Sequence, residues 1–479
     1  MKKIFRIIII SFVGFAIISC GLQPESNTSE ETLSESNSKE SPSTEPDSDT
    51  VDKSQAIPDK PLSEDGPWLI IDSWQGLFAI NPDGSGLTQF VEGMVESPYN
   101  DQFIGSQHGG YFAYQESSEN EIDTTIHVVS FPSGKLIADI PLFTYSDDPD
   151  MNAFRAIRDG QSMAFSPDGR HLAFMGVIDG PTSDLYLYSI ESGKLLQLTD
   201  GRTQGYQPVW SPDGKYILHT GADGFGTGAG FETKGIWTAR ADKDSVKTLY
   251  APTPNSAEMI VGWVDDETFI VYSWSQPCGP NNLRTYNVES RKSAILWSEP
   301  FDDIALDSSS DTIVLISGDG SCAPEGGIGT YFIPIFNGNP RRVVEDTKPL
   351  VVWSPAGELF IISGGSFEEW ALGVDTFGQI VDIDRPPDAY YYPVISPRSN
   401  YLFWTGQSPH IGSIDKSIPT STYFNESIQK AVWTPDGQAV IFVAESGLYI
   451  AHQPDFKAIL ISPDIKLQLT DDYMGWLYP

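Results

Sequence analysis

The sequence predicts an all-β chain folded as a single β-propeller of four-stranded blades. Three observations carry this. From residue 67 onward short β-rich runs alternate with turn clusters, drawing on 43 Gly and 35 Pro in 479 residues, and no long stretch keeps a helical period. A motif recurs at intervals of 38 to 60 residues, the range of propeller blades. The final apolar run also supplies a strand that the first β-rich segment lacks.

The recurring motif has a physical logic. Fuller copies are Ser166-Pro167-Asp168-Gly169, Trp210-Ser211-Pro212-Asp213-Gly214, Trp353-Ser354-Pro355-Ala356-Gly357 and Trp433-Thr434-Pro435-Asp436-Gly437. Degenerate copies begin at Gly105, Trp263, Leu306 and Ile395, with Leu306-Asp307-Ser308 the weakest. An apolar strand ends at the first position. Pro then presets φ, Asp can bond turn amides, and Gly tolerates positive φ. A returning strand such as Tyr216–His219 follows. In the repeat around Ser166 a third strand spans 184–188, then a turn at Glu191-Ser192-Gly193-Lys194 and a fourth strand over 195–198. Four antiparallel strands repeated radially make blades. The Trp positions read as fillers between neighbouring blades rather than as stacking platforms for bases or sugars.

Counting slots equivalent to Trp210 yields 105, 165, 210, 263, 306, 353, 395, 433 and 476, which is nine. Propellers usually have four to eight blades. Eight is therefore the preferred expectation, with nine the literal count and an irregular blade absorbing the surplus. Trp68–Phe90 has no slot of its own, whereas Leu467-Gln468-Leu469-Thr470 and Gly475-Trp476 repeat Leu196–Thr199 and Val209-Trp210. The last strand should thus complete the first blade and close the ring through paired N- and C-terminal strands.

These residues resemble the WD-like repeats of TolB-type propellers and the propellers of prolyl-oligopeptidase and dipeptidyl-peptidase proteins. The resemblance spans nearly all of 67–479. The TolB-type α/β domain has no counterpart, since a Ser/Glu-rich segment stands there. A G-x-S-x-G motif for a hydrolase half is also missing. The resemblance implies a propeller without a catalytic partner domain.

The N-terminus reads as an address. Lys2, Lys3 and Arg6 precede an apolar stretch from Ile7 to Ile18, too short to span a bilayer comfortably. Ile17-Ile18-Ser19-Cys20 resembles the bacterial lipobox. That resemblance implies cleavage before Cys20 and lipid on its thiol and amino group, with 1–19 as signal peptide. An ordinary signal peptide or an uncleaved anchor are the alternatives. Residues 21–66 hold ten Ser, twelve acidic residues and three Lys, and almost nothing large and apolar. With Cys20 they form a lipidated, disordered acidic tether over 20–66, since such a segment cannot bury enough surface to offset its chain entropy. The expected location is extracytoplasmic, anchored to the cell membrane by lipid on Cys20.

The net charge is −36, from 29 Lys+Arg against 65 Asp+Glu. This excludes a default nucleic-acid binder, whose affinity comes from cationic contacts to phosphate. Cys278 and Cys322 lie in Gly-containing insertions of consecutive repeats, 44 residues apart, and are expected to pair outside the cytoplasm; two separate buried thiols are the alternative. Long segments after the second strands, 176–183, 220–235, 275–282, 317–329 and 364–369, gather on one face. There Phe225, Phe231, Trp274 and Trp370 are the binding candidates, although Phe225 and Phe231 could instead fold back as caps. The His spacings match no metal motif, and Asp265-Asp266 and Asp302-Asp303 read as solvated turns sooner than calcium or hydrolytic pairs. No cofactor, metal or catalytic residue is expected. The functional expectation is a monomeric, non-catalytic scaffold for an envelope protein or peptide. Glycan or small-ligand binding is the alternative, and a hydrolase or lyase with carboxylates at the central funnel a further one.

Overall fold

Nine antiparallel four-stranded sheets follow one another around a ring in the computed structural model. It describes residues 57–479 with interruptions, the longest at 93–102, 248–256, 318–326, 364–370 and 384–392. Blade one holds Trp68–Ser73, Gly76–Ile80 and Thr88–Glu92, completed by Met474–Leu477. Blades two to nine open with Phe103–Gly105, Met163–Phe165, Gln204–Trp210, Ala257–Trp263, Asp303–Leu306, Leu350–Trp353, Pro393–Ile395 and Ile428–Trp433. Each motif slot ends one of these strands, except Trp476, which is one residue short of its strand's end.

The literal count of nine therefore stands, and the preference for eight is corrected. The physical reason is that no slot is surplus. Even the weakest, Leu306, heads a sheet that packs on both sides: Ile313 and Leu315 face blade five, and Val314 and Phe332 face Val374 of blade seven. Apolar clusters fill every seam. One spans blades two to four. Others join blades four to five, five to six, six to seven, seven to eight and eight to nine. Leu69 and Ile71 meet Ile441 and Val443 between nine and one, while Trp68 and Ile70 meet Phe112 and Tyr114 between one and two. Because the faces of the sheets are covered, the described second strands are largely buried, as in Ala439–Ala444.

Ring closure follows the expected pairing. Trp68, Leu69, Ile70 and Ile71 pair antiparallel with Leu477, Trp476, Gly475 and Met474. The slot tryptophans fill the seams and also tie them. The Nε1–H groups of Trp210, Trp263, Trp433 and Trp476 donate to the carbonyls of Ala164, Val209, Val394 and Trp433 at 2.9, 3.2, 2.9 and 2.8 Å. Each acceptor lies at, or one residue before, the end of the preceding blade's innermost strand.

The first-to-second-strand turns repeat one hydrogen-bond pattern. Ser166, Ser211 and Thr434 donate their hydroxyls to Asp168, Asp213 and Asp436 at 2.6, 2.8 and 2.7 Å. The same oxygens accept the amides of His171, Tyr216 and Ala439. Gly169, Gly214 and Gly437 sit at φ +71°, +72° and +70°, the left-handed region that favours glycine. Gly169 carries a second constraint, since a Cβ there would overlap the His108 carbonyl of blade two.

Two features differ from the sequence reading. One helix, Met151–Arg158, is inserted between blades two and three. Asp150 caps it, accepting the Asn152 amide at 2.8 Å, and Ala153, Phe154, Ala156 and Ile157 are buried. Residues 57–66, assigned to the tether from composition, lie against blade one. Among the described residues no helix is long and apolar enough to cross a membrane.

Candidate functional site on the long-loop face

Turns between first and second strands, and between third and fourth, share one face of the ring, here the short-turn face. The connections after second strands emerge on the other, the long-loop face. On that face blade four differs most. Its second and third strands, Tyr216–Gly226 and Gly230–Arg240, run eleven residues each. The segment 220–235, expected to be an irregular loop, is thus mostly a hairpin extension, and Phe225 and Phe231 are register partners near its tip. Packing requires glycine at Gly221, where a Cβ would lie 2.5 Å from Trp237 Nε1. The expected loop 275–282 is likewise largely strand, Thr268–Ser275 followed by Gly279–Asn287.

Trp274, on that blade-five hairpin, is 44 % exposed, whereas Trp370 and the segment 364–369 lie outside the described residues. The same face carries three exposed apolar residues that sequence reasoning missed. Trp74 (50 %) occupies the turn between the second and third strands of blade one. Tyr145 (53 %) and Met151 (63 %) flank the start of the helix. The available signals were a Trp in a two-residue turn, which no core position could claim, and Asp150 ahead of Ala153, Phe154 and Ile157 at helical spacing. The helix lies over blade four, with Ala156 against Tyr206 and Ala222, and the Phe154 ring is tilted against Phe143 with centroids 5.7 Å apart.

Beneath this surface the seams become polar. Glu258, fully buried at the start of blade five's innermost strand, accepts Arg284 Nη2 at 2.5 Å and the Ser273 hydroxyl at 3.0 Å. Arg284 also donates to Ser273 at 3.1 Å, so the carboxylate sits in a shared network rather than in bare apolar surroundings. His219, buried between blades three and four, has its pKa lowered to about 4 by loss of hydration. Its ring is therefore neutral near pH 7. Gln204 and Ser183 close the same seam, the Ser183 amide donating to Gln204 Oε1 at 2.7 Å. Burial raises the Asp184 carboxyl above the usual carboxylate range despite hydrogen bonds from Thr199, Gly201 and Thr182. Asp303, opening blade six, is also raised, by desolvation and then by repulsion from Asp302. Burial pushes Tyr272 up to about 12, with Asp303 adding to it. The face thus offers exposed aromatic surfaces over a buried base in which Tyr272 is protonated and His219 neutral.

Other chemistry-bearing residues serve the scaffold or lie elsewhere. Asp265 accepts the amides of Glu267 and Thr268 at 2.8 and 2.6 Å, a turn role. His127 lies between Asp139 and Glu116, with Nδ1 and Nε2 at 2.7 and 3.0 Å from their oxygens. On the short-turn face His108, Asp168, His171 and Asp213 line a groove of about 560 Å³. Among the described residues no three His, Cys, Asp or Glu side chains gather in a metal-binding arrangement. Cys278 is disulfide-bonded; Cys322 and Cys20, the remaining cysteines, lie outside the described residues.

No family model matches the chain. One curated relative, an uncharacterized peptidase, YuxL, of Bacillus subtilis, is 46 % identical over 56 residues. That match covers 12 % of this chain and spans 8 % of the relative's length, about one blade repeat. Among solved structures, a eukaryotic initiation factor superposes with a TM-score of 0.55 at 14 % identity, covering 86 % of this chain and 99 % of that one. This shows a shared fold. TolB from Acinetobacter baumannii is also similar, at 14 % identity over 57 % of this chain and 65 % of that one, with a TM-score of 0.31. Porphyromonas gingivalis dipeptidyl peptidase 4 reaches 0.46 at 12 % identity, over 75 % of this chain and 59 % of that one.

Proposed function

We propose that the chain is an extracytoplasmic, membrane-anchored lipoprotein whose propeller serves as a non-catalytic scaffold for a protein or peptide. The observation that carries the binding part is the placing of Trp74, Tyr145 and Trp274 on the long-loop face, each about half exposed on a closed ring. Large aromatics held by a rigid scaffold supply contact area at little conformational cost, and they dominate the energetics of protein interfaces. The acidic balance of the sequence favours a partner with a cationic surface. The 56-residue peptidase match has the length of a blade and is accounted for by repeat sequence.

The groove on the short-turn face favours a second reading, a small polar ligand, because its volume of about 560 Å³ falls within the usual range for ligand pockets.

Crosslinking in the native envelope, followed by mass spectrometry, tests the first reading. A stoichiometric protein crosslinked through the long-loop face is the expected result. Crosslinks confined to the short-turn face, or recovery unchanged in a Trp74→Ala/Trp274→Ala double variant, would overturn it. Incorporation of labelled palmitate tests the anchor, and Cys20→Ala should abolish it.

A further inference from the structure

We propose that the short-turn face is the membrane-proximal side of this molecule, so that the long-loop face points outward. The inference rests on the lipid-anchor reading and adds an orientation to it. It comes from the path of residues 57–66, which form a strap across blade one.

The strap is held by specific bonds on the short-turn face. Trp68 Nε1 donates to the Ser63 carbonyl at 2.7 Å, and the Ser63 amide donates to Asn81 Oδ1 at 2.8 Å. Asn81, itself buried, donates Nδ2 to the Pro61 carbonyl at 2.9 Å. Lys60 pairs with Asp83 at 2.9 Å. Gly86 lies flush against the strap, where a Cβ would come within 2.6 Å of the Leu62 amide nitrogen. Leu62 packs into the seam between blades one and two, and Ile57 into the seam between nine and one. Asn81, Asp83 and Gly86 belong to the turn between the third and fourth strands of blade one, which places the whole strap on that face. The chain therefore leaves the fold at Ile57 on the short-turn side.

Thirty-six residues separate Cys20 from Ile57. On the tether reading, a segment of that length would average about 30–36 Å end to end. The innermost strand Ala257–Trp263 has seven residues, so a blade is about 23 Å tall. Presenting the long-loop face to the bilayer would require the coil to climb that height as well as clear the surface. The strap removes ten residues that could otherwise have supplied the reach.

Energy transfer tests the orientation. The mature full chain is coupled through Cys20 to a lipid and bound to phosphatidylethanolamine/phosphatidylglycerol vesicles carrying a headgroup acceptor dye. Donor dyes are placed on blade three at Ser192→Cys, in an exposed short turn, or at Gly180→Cys on the long-loop side. A Cβ at Gly180 meets open space. Transfer from Ser192→Cys should exceed that from Gly180→Cys, because the two sites differ in height by about 20 Å. Equal transfer, or more from Gly180→Cys, would overturn the proposal. Should Gly180→Cys fold poorly, Trp74→Cys takes its place with the same expectation. Because the lipid is attached chemically, this result does not depend on whether cells lipidate Cys20, which palmitate labelling decides separately.

Discussion

Replacing Gly169 or Gly214 by Ala separates backbone conformation from packing within one motif. Both glycines close the same turn, at φ +71° and +72°. An Ala held in the left-handed region costs about 1–2 kcal/mol at either site. Their surroundings differ. At Gly214 the nearest atom to a new Cβ is Pro167 Cδ at 3.7 Å, an ordinary contact. At Gly169 the Cβ would overlap the His108 carbonyl oxygen and lie 2.7 Å from its carbon, so main chain of blade two must move. Overpacking of that kind adds about 1–3 kcal/mol. Gly214→Ala should therefore cost about 1–2 kcal/mol and Gly169→Ala about 2–5 kcal/mol. Urea unfolding followed by tryptophan fluorescence and far-UV circular dichroism measures both, with coincident transitions and a constant slope as the condition for comparing midpoints. Equal destabilisation by the two variants would refute the reasoning, because it would show that the contact between the turns of blades two and three carries no weight.

Other outcomes follow from the same structure. His219 has a folded-state pKa of about 4 against about 6.5 when unfolded, so the unfolded chain binds the extra proton between those values. Stability should fall by about 3 kcal/mol as pH drops from 6.5 to 4, and His219→Phe should flatten that slope in pH-dependent urea melts. Asp168 and Asp213 are partly desolvated, which alone would raise their pKa, but hydrogen bonds from Ser166 and the Arg170 amide, and from Lys215 and Ser211, hold them low. Their contribution is present above the unfolded carboxylate range and is lost as pH falls through the folded values, so Asp213→Asn should weaken acid unfolding below about pH 4. Trp433→Phe removes the donor to Val394 and should cost about 1–3 kcal/mol, read as a lower urea midpoint. If Cys278 pairs with Cys322, Cys278→Ser and Cys322→Ser should each lose about 3–4 kcal/mol and the double variant no more, with the linked peptides visible by mass spectrometry before reduction.

Much of the fold was legible because each blade announces itself locally. The Trp-Ser-Pro-Asp-Gly run specifies a strand end, a turn and a returning strand through φ preferences and short hydrogen bonds, and it does so without distant residues. The exchange of Met474–Leu477 into blade one was also readable, as one motif missing at the start and one left over at the end. The blade number required the tertiary structure. Degenerate slots such as Gly105 and Leu306 lack Pro-Asp-Gly, and only the packing of Ile313 and Val314 on opposite sides of their sheet shows Leu306 to head a blade of its own.

The candidate site was less legible, for a related reason. Exposure is a property of the assembled ring. Trp274 stands out at a loop edge, but Trp74 looks like other aromatics in the sequence, and Phe225 and Phe231 gained strand partners that a glycine-rich composition does not suggest. The course of residues 57–66 was hidden as well, since Ser, Asp, Glu and Pro in that stretch read as tether until Asn81, Asp83 and Trp68 are brought beside it. The repeat unit, the ring closure and the acidic balance are written in the order of the amino acids, because these depend on short-range backbone chemistry and on composition. The number of blades, the exposed aromatics and the side from which the N-terminal chain departs emerge with folding, because these depend on which surfaces are covered once nine sheets have packed around a common axis.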